Sequence, residues 1–224
     1  MSHHEMARYI DHTLLKPEAA VAQYEQVAAE CRQYHFKSMC VNSQWAGLAA
    51  QLLQGTDTAV CAVVGFPLGA MTTRAKAFEA REAIEAGAAE IDMVLNVGAL
   101  RSGNYALVEE DIRAVRRAAR AGTVLKVIIE TCMLSQEEKV IACELARKAE
   151  ADFVKTSTGF ASGGATVEDV RLMRGVVGPD MGVKASGGIR TWDAAVSMIA
   201  AGANRLGIGS SIKVMTGGMA EGNY

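Results

Sequence analysis

Residues 90–96 read Glu90-Ile91-Asp92-Met93-Val94-Leu95-Asn96. The odd-numbered positions are all apolar, and this period of two residues is typical of a β-strand, whose successive side chains point to opposite faces. In a closed barrel, one face of each strand points to the axis and the other packs against helices. The apolar face suits the helices. We therefore expect the even-numbered residues, from Glu90 to Asn96, to point to the barrel axis.

Seven further runs of strand length occur along the chain, separated by longer segments with the 3.6-residue period of helices. The eight predicted strands are Tyr9–His12, Ser38–Val41, Ala59–Val64, Ile91–Asn96, Val124–Ile129, Phe153–Lys155, Gly182–Lys184 and Arg205–Ile208. The main predicted helices are Glu18–Tyr34, Thr73–Ala86, Tyr105–Ala121, Gln136–Ala149, Val167–Val176 and Thr191–Ala200, and a short final helix follows the last strand. Four of these helices are predicted to begin after an N-cap hydroxyl, namely Thr72, Ser135, Thr166 and Thr191.

This alternation predicts an α/β protein, a single-domain (β/α)8 TIM barrel. A doubly wound open sheet is the alternative, but no Gly-x-Gly-x-x-Gly motif follows the first strand. We expect the barrel to occupy residues 1–216 and a flexible, glycine-rich C-terminal tail to occupy residues 217–224. At the other end of the chain, His3 and His4 are expected in a frayed terminus.

Composition and charge narrow the class of protein. The formal net charge is −2 and the sequence pI is near 6.1, so neither nucleic acid nor a membrane surface is expected as a partner. The five cysteines are odd in number and scattered, which indicates free thiols and a cytoplasmic protein. No His, Cys and carboxylate cluster has the spacing of a metal site, so no metal and no cofactor is expected.

The same alternation places three lysines on the axial face beside Asp92. They are Lys126, Lys155 and Lys184, each 29 residues from the next, which is the length of one βα unit. The three are therefore predicted to lie side by side at similar heights. Lysine is seldom buried unless it is paired or used in function. The alternative is that they reach solvent at the strand ends or form a structural ion network, but a set of three beside an aspartate favours a functional site.

Such a set suits imine chemistry on a carbonyl substrate. An amine attacks a carbonyl only when it is neutral, and burial or a second cation lowers the pKa of a lysine. Lys155 is the predicted nucleophile, because the hydroxyls and glycine of residues 156–159 follow it at the end of the barrel where active sites assemble. Lys184 is the predicted second cation, and Asp92 with Lys184 is the predicted proton shuttle.

Two glycine-containing loops follow the last two strands. Residues 185–189 include Gly187 and Gly188, and residues 207–211 end in Ser210 and Ser211. Backbone amides can approach an anion closely at such loops, and in (β/α)8 enzymes a phosphate frequently lies between them. The alternative is a pair of tight turns. We predict a phosphate site, and therefore a small sugar phosphate as substrate.

These residues also carry a family resemblance. Over nearly its whole length the chain resembles the deoxyribose-phosphate aldolase family, in the segments Ile10-Asp11-His12-Thr13-Leu14-Leu15-Lys16-Pro17, Glu90-Ile91-Asp92-Met93-Val94-Leu95-Asn96, Lys126-Val127-Ile128-Ile129-Glu130-Thr131, Lys155-Thr156-Ser157-Thr158-Gly159 and Val183-Lys184-Ala185-Ser186-Gly187-Gly188. The resemblance implies a class I aldolase, a lyase that reversibly cleaves 2-deoxy-D-ribose 5-phosphate to acetaldehyde and D-glyceraldehyde 3-phosphate, and a homodimer as its assembly.

The resemblance also implies roles for individual residues. Lys155 matches the Schiff-base lysine, and Asp92 and Lys184 match the proton-relay pair. The residues that match the substrate pocket are Asp11, Thr13, Cys40, Lys126 and Thr158, and those that match phosphate contacts are Gly159, Gly187, Gly188, Ser210 and Ser211. Tyr224 matches a tail tyrosine that assists proton exchange. Some members of the family carry a lysine near the phosphate where this chain has Phe160, so only a moderate preference for phosphorylated sugars is expected.

Three other functions remain open from the residues alone. A transaldolase-like enzyme would use the same chemistry on ketose phosphates. A sugar-phosphate isomerase would use the lysines in acid–base catalysis without a covalent adduct. A non-catalytic sugar-phosphate sensor is disfavoured, because binding alone does not require three axial lysines.

Overall fold

A computed structural model describes residues 1–119 and 121–218. Eight parallel strands close into a barrel in chain order, so the predicted (β/α)8 fold is confirmed. The strands are β1 Ile10–Leu14, β2 Ser38–Asn42, β3 Ala59–Val64, β4 Glu90–Val94, β5 Val124–Ile128, β6 Phe153–Lys155, β7 Gly182–Ser186 and β8 Arg205–Ile208. Three of them have the predicted bounds, and the others are shifted by one or two residues at an end.

Helices connect the strands and surround the barrel. They are α1 His3–Ala7, α2 Val21–Tyr34, α3 Ala46–Leu52, α4 Thr73–Glu85, α5 Val97–Arg101, α6 Tyr105–Ala118, α7 Gln136–Lys148, α8 Val167–Val177, α9 Trp192–Ala200 and α10 Ser211–Met215. The four predicted N-cap hydroxyls are confirmed, since each accepts a hydrogen bond from a backbone amide in the first turn of α4, α7, α8 or α9.

The unpredicted helices α1, α3 and α5 are short, and five to seven residues give little periodicity to recognise. The prediction of a frayed N-terminus was wrong. Ser2 and Glu5 form a capping box, in which Glu5 N donates to Ser2 Oγ at 3.2 Å and Ser2 N donates to the Glu5 carboxylate at 2.6 Å. Met6 and Ala7 are buried, so α1 is part of the packed structure.

The apolar core lies between the strands and the helices. On β4 and β5 the outward residues Ile91, Met93, Leu125 and Val127 are buried in it. The inward face carries the charged residues, as the alternation predicts, beside a small apolar cluster formed by Leu15, Cys40, Cys61 and Val63. Asn96 is an exception, because β4 ends at Val94 and the Asn96 side chain caps α5 by accepting a hydrogen bond from Ala99 N at 3.0 Å.

Thr216 caps the C-terminus of α10, and Gly217 and Gly218 are the described residues of the predicted tail. Tyr224 lies outside the described part of the chain. Within residues 1–119 and 121–218, each helix is too short or too polar to cross a lipid bilayer.

Candidate active site

The three predicted lysines all lie inside the barrel. Lys155 and Lys184 are register partners on β6 and β7, and Asp92 and Lys126 are register partners on β4 and β5. All four side chains are buried, with at most 1% of Lys155 exposed. The prediction of a common level holds for Lys155 and Lys184 but not for Lys126, whose register partner on β6 is Phe153.

Asp92 joins the three lysines. Its Oδ2 accepts hydrogen bonds from Lys155 Nζ at 2.8 Å and from Lys184 Nζ at 2.7 Å. Its Oδ1 accepts one from Lys126 Nζ at 2.8 Å. Since one carboxylate oxygen serves both Lys155 and Lys184, a proton can pass between these two amines through Asp92 over two hydrogen bonds.

Further charged residues lie next to these four and pair with Lys184 and Lys126. Lys184 also contacts Asp11 Oδ2 at 2.5 Å, and Lys126 contacts Glu90 Oε2 at 2.6 Å. Arg205, on β8, bridges the two carboxylates, at 2.6 Å from Asp11 and 2.9 Å from Glu90. Arg205 was missed from the sequence, although the alternation applied to β4 predicts that the first residue of β8 faces the axis. Glu90 was placed on the axial face but given no role.

We call this set the axial charge cluster; its members are Asp11, Glu90, Asp92, Lys126, Lys155, Lys184 and Arg205. It carries one more cation than carboxylates. Burial would raise the pKa of Asp92, but Lys126, Lys155 and Lys184 outweigh it and hold that pKa well below its usual range. Burial would lower the pKa of Lys184, but Asp11 and Asp92 hold it well above its usual value. In the resting cluster Lys184 is therefore protonated and Asp92 ionised.

Stability should depend on pH through this cluster. Burial would raise the pKa of Asp11, but Lys184 and Arg205 lower it, as the lysines do for Asp92. Both carboxylates are more acidic folded than unfolded, where the reference value is about 3.9. Their stabilisation is complete above that value and is lost as pH falls below it toward the folded pKa. We expect the urea midpoint to fall between about pH 5 and pH 3, with a shallower fall in Asp11→Asn. A midpoint unchanged over this range would contradict the assignment.

Cys40 lies beside the cluster, where it pairs in register with Cys61 on the neighbouring strand. Cys61 Sγ lies 3.2 Å from Asp92 Oδ1 and 3.5 Å from Lys126 Nζ. A hydrogen bond from Cys61 lowers the pKa of the Cys40 thiol, and the nearby Lys184 lowers it further. Sulfur and oxygen atoms of Cys40, Cys61 and Asp92 are close enough to bind a metal ion. However, the ammonium groups bound to Asp92 would repel a cation there.

The mouth of the barrel contains a buried carboxylate, Glu130, to which no role was assigned from the sequence. Glu130 follows β5 with a φ of +56°, which is unusual for a residue other than glycine. Its carboxylate accepts hydrogen bonds from Thr158 Oγ1 at 2.5 Å and Thr158 N at 3.2 Å. Burial raises the pKa of Glu130, while the bonds from Thr158 oppose that change. Glu130 therefore fixes the loop that follows Lys155.

A small cavity of about 90 Å³ opens at this mouth between Glu130, Thr158 and apolar side chains. Phe160 lines it and packs edge-on against Phe66 with ring centroids 5.2 Å apart. No charged group stands at position 160, so this wall of the mouth is apolar. A wider depression lies at the opposite end of the strands, beside Phe153 and Gly182, away from the end at which barrel active sites assemble.

The two predicted phosphate loops follow β7 and β8, so both lie at the C-terminal end of the barrel strands. Gly159, Gly187 and Gly188 have φ values of +85°, +81° and +76°, which favour glycine. A Cβ on Gly187 would lie 3.1 Å from Gly164 Cα and 3.5 Å from Gly159 Cα, so the backbones after β6 and β7 touch. The glycines therefore allow the loops after β6 and β7 to approach closely; Gly188 is exposed, whereas Gly159 and Gly187 are buried.

Two predicted hydroxyls are used inside the protein. Thr13 Oγ1 donates to the carbonyl oxygen of Asp11 at 2.9 Å. Ser211 is fully buried, and its hydroxyl donates to the carbonyl of Ile208 at 2.9 Å and lies 2.9 Å from His12 Nδ1. Ser210 directly precedes α10 and is partly exposed. Of the predicted residues, the structure thus joins Asp92, Lys126 and Lys184 directly to the group around Lys155, and the Ser211 hydroxyl is used within the protein.

Comparisons with known proteins agree with this arrangement. A family model described as DeoC/LacD family aldolase matches residues 5–220. A deoxyribose-phosphate aldolase of Streptococcus gordonii is 59% identical over 220 residues, which cover 98% of this chain and 100% of the relative. One from Geobacillus sp. (strain WCH70) is 58% identical over 219 residues, 98% of each chain. A tetrameric deoxyribose phosphate aldolase from Aeropyrum pernix superposes with a TM-score of 0.86 at 34% identity, covering 96% of this chain and 91% of that one.

Proposed function

Because this chain belongs to the DeoC/LacD family of aldolases, we propose that it reversibly cleaves 2-deoxy-D-ribose 5-phosphate to acetaldehyde and D-glyceraldehyde 3-phosphate through a Schiff base on Lys155. The observation that carries the assignment of the lysine is the shared oxygen of Asp92, which binds Lys155 and Lys184 together inside the barrel. Because Lys155 shares the Asp92 carboxylate with the protonated Lys184, Lys155 can lose its proton and leave Asp92 still paired with a cation.

The first step is attack of the neutral Lys155 amine on the C1 aldehyde of the sugar. With Lys155 neutral, the three remaining cations of the axial charge cluster balance its three carboxylates. The proton lost by Lys155 moves to Asp92 or out through the mouth. The N–C bond forms with the electron pair of the amine, and the former carbonyl oxygen takes a proton to give a carbinolamine.

Loss of water from the carbinolamine gives an iminium ion that withdraws electrons from the adjacent C2. The C2–C3 bond then breaks, its electron pair forms an enamine on Lys155, and the C3 hydroxyl loses its proton as it becomes the aldehyde of glyceraldehyde 3-phosphate. Protonation of the enamine and hydrolysis release acetaldehyde. Asp92 and Lys184 are the relay for these protons. Lys155 is hydrogen-bonded to Asp92, and Lys184 is hydrogen-bonded to the same carboxylate oxygen of Asp92.

The remaining predicted residues surround the substrate in this proposal. Lys126, Asp11, Thr13 and Cys40 line the axial side of the pocket, and Thr158, fixed by Glu130, lines the mouth. The phosphate lies against the backbone of Gly159, Gly187, Gly188, Ser210 and Ser211. Without a cation at position 160, the preference for the phosphorylated sugar stays moderate. Tyr224 remains a predicted participant in proton exchange at the enamine.

We further propose a homo-oligomer, a dimer, acting in the cytoplasm. The five cysteines are free, as expected in a reducing compartment. The A. pernix relative is a tetramer, so light scattering on the purified protein should read a dimer or a higher closed assembly.

Trapping of the imine tests the proposal. The protein is incubated with acetaldehyde and sodium borohydride, digested and mapped by mass spectrometry. We expect one ethyl group on Lys155, absent when the reductant is left out. An adduct on Lys184 instead would keep the reaction class but reverse the two lysine roles. No adduct anywhere in folded protein would favour the isomerase or the sensor.

A further inference from the structure

His12 lies on β1 between two predicted site residues but faces the opposite way. Asp11 and Thr13 point to the axis, whereas His12 is buried on the outer side of the strand, with its ring 4.9 Å from that of Phe36. Its register partner is Ile208, the last residue of β8. This places the imidazole beside the loop that connects β8 to α10.

Both ring nitrogens of His12 are engaged. Nε2 lies 2.5 Å from Glu30 Oε2, and because a carboxylate only accepts, this nitrogen carries a proton. Nδ1 lies 2.9 Å from the hydroxyl of Ser211. Glu30 is itself held by Gln26 Nε2, which donates to its other oxygen at 2.8 Å. A chain of hydrogen bonds therefore runs from α2 through β1 to the first residue of α10.

The Ser211 hydroxyl closes the β8–α10 loop. Its oxygen lies 2.9 Å from the carbonyl oxygen of Ile208, three residues earlier, and 2.9 Å from His12 Nδ1, within hydrogen-bond distance of both. Gly209 and Ser210 lie between these two anchors. A loop that presents backbone to an anion must keep its conformation when the ligand is absent, since ordering it on binding would weaken affinity.

We propose that His12, oriented by Glu30, is a positioning residue for phosphate recognition: it fixes Ser211 and so holds the 209–211 backbone in the conformation that binds the 5-phosphate. This inference rests on the proposed function, because it presumes that the phosphate lies at this loop. His12 does not touch the reacting atoms. It acts on the phosphate end of the substrate and not on imine formation at Lys155.

The test is selectivity between 2-deoxyribose 5-phosphate and 2-deoxyribose. His12→Phe keeps an aromatic ring against Phe36 but loses both hydrogen bonds. We expect its KM for the phosphorylated sugar to rise about tenfold, the effect of one hydrogen bond near a charge, with kcat little changed. KM for 2-deoxyribose, and trapping of acetaldehyde at Lys155, should stay at the wild-type values. Inhibition of deoxyribose cleavage by inorganic phosphate should weaken by a similar factor.

A conservative variant separates positioning from packing. An asparagine amide can occupy the place of Nδ1, which faces Ser211, and a glutamine amide the place of Nε2, which faces Glu30. His12→Asn should therefore retain more phosphate selectivity than His12→Gln. If His12→Phe does not fold, Ser211→Ala removes the same anchor with a smaller change and should show the same loss of phosphate inhibition. Asp169→Asn, which breaks the Lys139–Asp169 pair between α7 and α8, is the control for a general loss of stability.

The outcomes distinguish the two proposals. The role of His12 would be overturned if His12→Phe lowered kcat/KM equally for both sugars. It would also be overturned if selectivity were unchanged in both His12→Phe and Ser211→Ala. Wild-type protein that cleaves neither sugar and gives no adduct would instead overturn the proposed function.

Discussion

Replacing Asp92 by asparagine should lower kcat/KM roughly a thousandfold, within the range expected for loss of a positioned acid–base group. The neutral amide cannot pass protons between Lys155 and Lys184, and it leaves three buried ammonium groups without the carboxylate that now accepts a hydrogen bond from each. Removing one partner of a buried ion pair also costs about 3–5 kcal/mol of the free energy of unfolding. Steady-state kinetics and urea unfolding measure the two effects separately.

Asp111→Asn is the matched control for Asp92→Asn. Asp111, on α6, forms a buried pair with Lys76 of α4 at 2.5 Å, outside the barrel axis. The same substitution there should lower stability to a comparable degree and leave kcat/KM within a few fold of wild type. If the two variants lose activity equally, Asp92 acts through stability alone and the relay is wrong.

Lys155→Met should abolish both turnover and trapping. The variant keeps the volume of the side chain but has no amine, so no imine forms and kcat should fall at least about 10⁴-fold, as for other lost nucleophiles. One cation leaves the axial charge cluster, which makes its charges balance, so we expect the fold to tolerate the change better than Asp92→Asn. Product assay and borohydride mapping give the readouts.

Lys139→Met provides the comparison for Lys155→Met. Lys139 is also a buried lysine, paired with Asp169 at 2.6 Å, but it lies on α7 outside the barrel. Its loss should leave the ethyl adduct on Lys155 intact. If Lys155→Met cleaved the substrate at the wild-type rate, the Schiff base would have to form on another lysine.

Alternation along the strands predicted both the barrel and the charged side chains that lie on its axis. Alternation fixes which side chains share a face, and neighbouring strands of a barrel bring such faces together, so Asp92, Lys155 and Lys184 could be placed without a structure. Arg205, the first residue of β8, follows the same alternation and points to the axis, although its role was not predicted. The offset of Lys126 depends on strand register, which alternation alone does not give.

Other parts of the site depend on contacts that are remote in sequence. His12 meets Ser211 across 199 positions, and neither residue shows from its local pattern that the other will hold it. The left-handed backbone of Glu130 is equally hidden, because glycine or asparagine usually signals that conformation and a glutamate does not. The short helices α1 and α5 begin at side-chain caps, α3 has no such cap, and all three carry little periodic signal of their own.

The charged interior of the barrel also bears on behaviour at high temperature. Most (β/α)8 barrels fill this space with branched aliphatic side chains, whereas here ion pairs cross-brace β1, β4, β5, β6, β7 and β8. The penalty for removing charges from water falls on heating, while the contribution of apolar burial levels off. The axial charge cluster therefore contributes relatively more to the stability of the fold as the protein is warmed, and we expect heat to loosen the surrounding helix layer first.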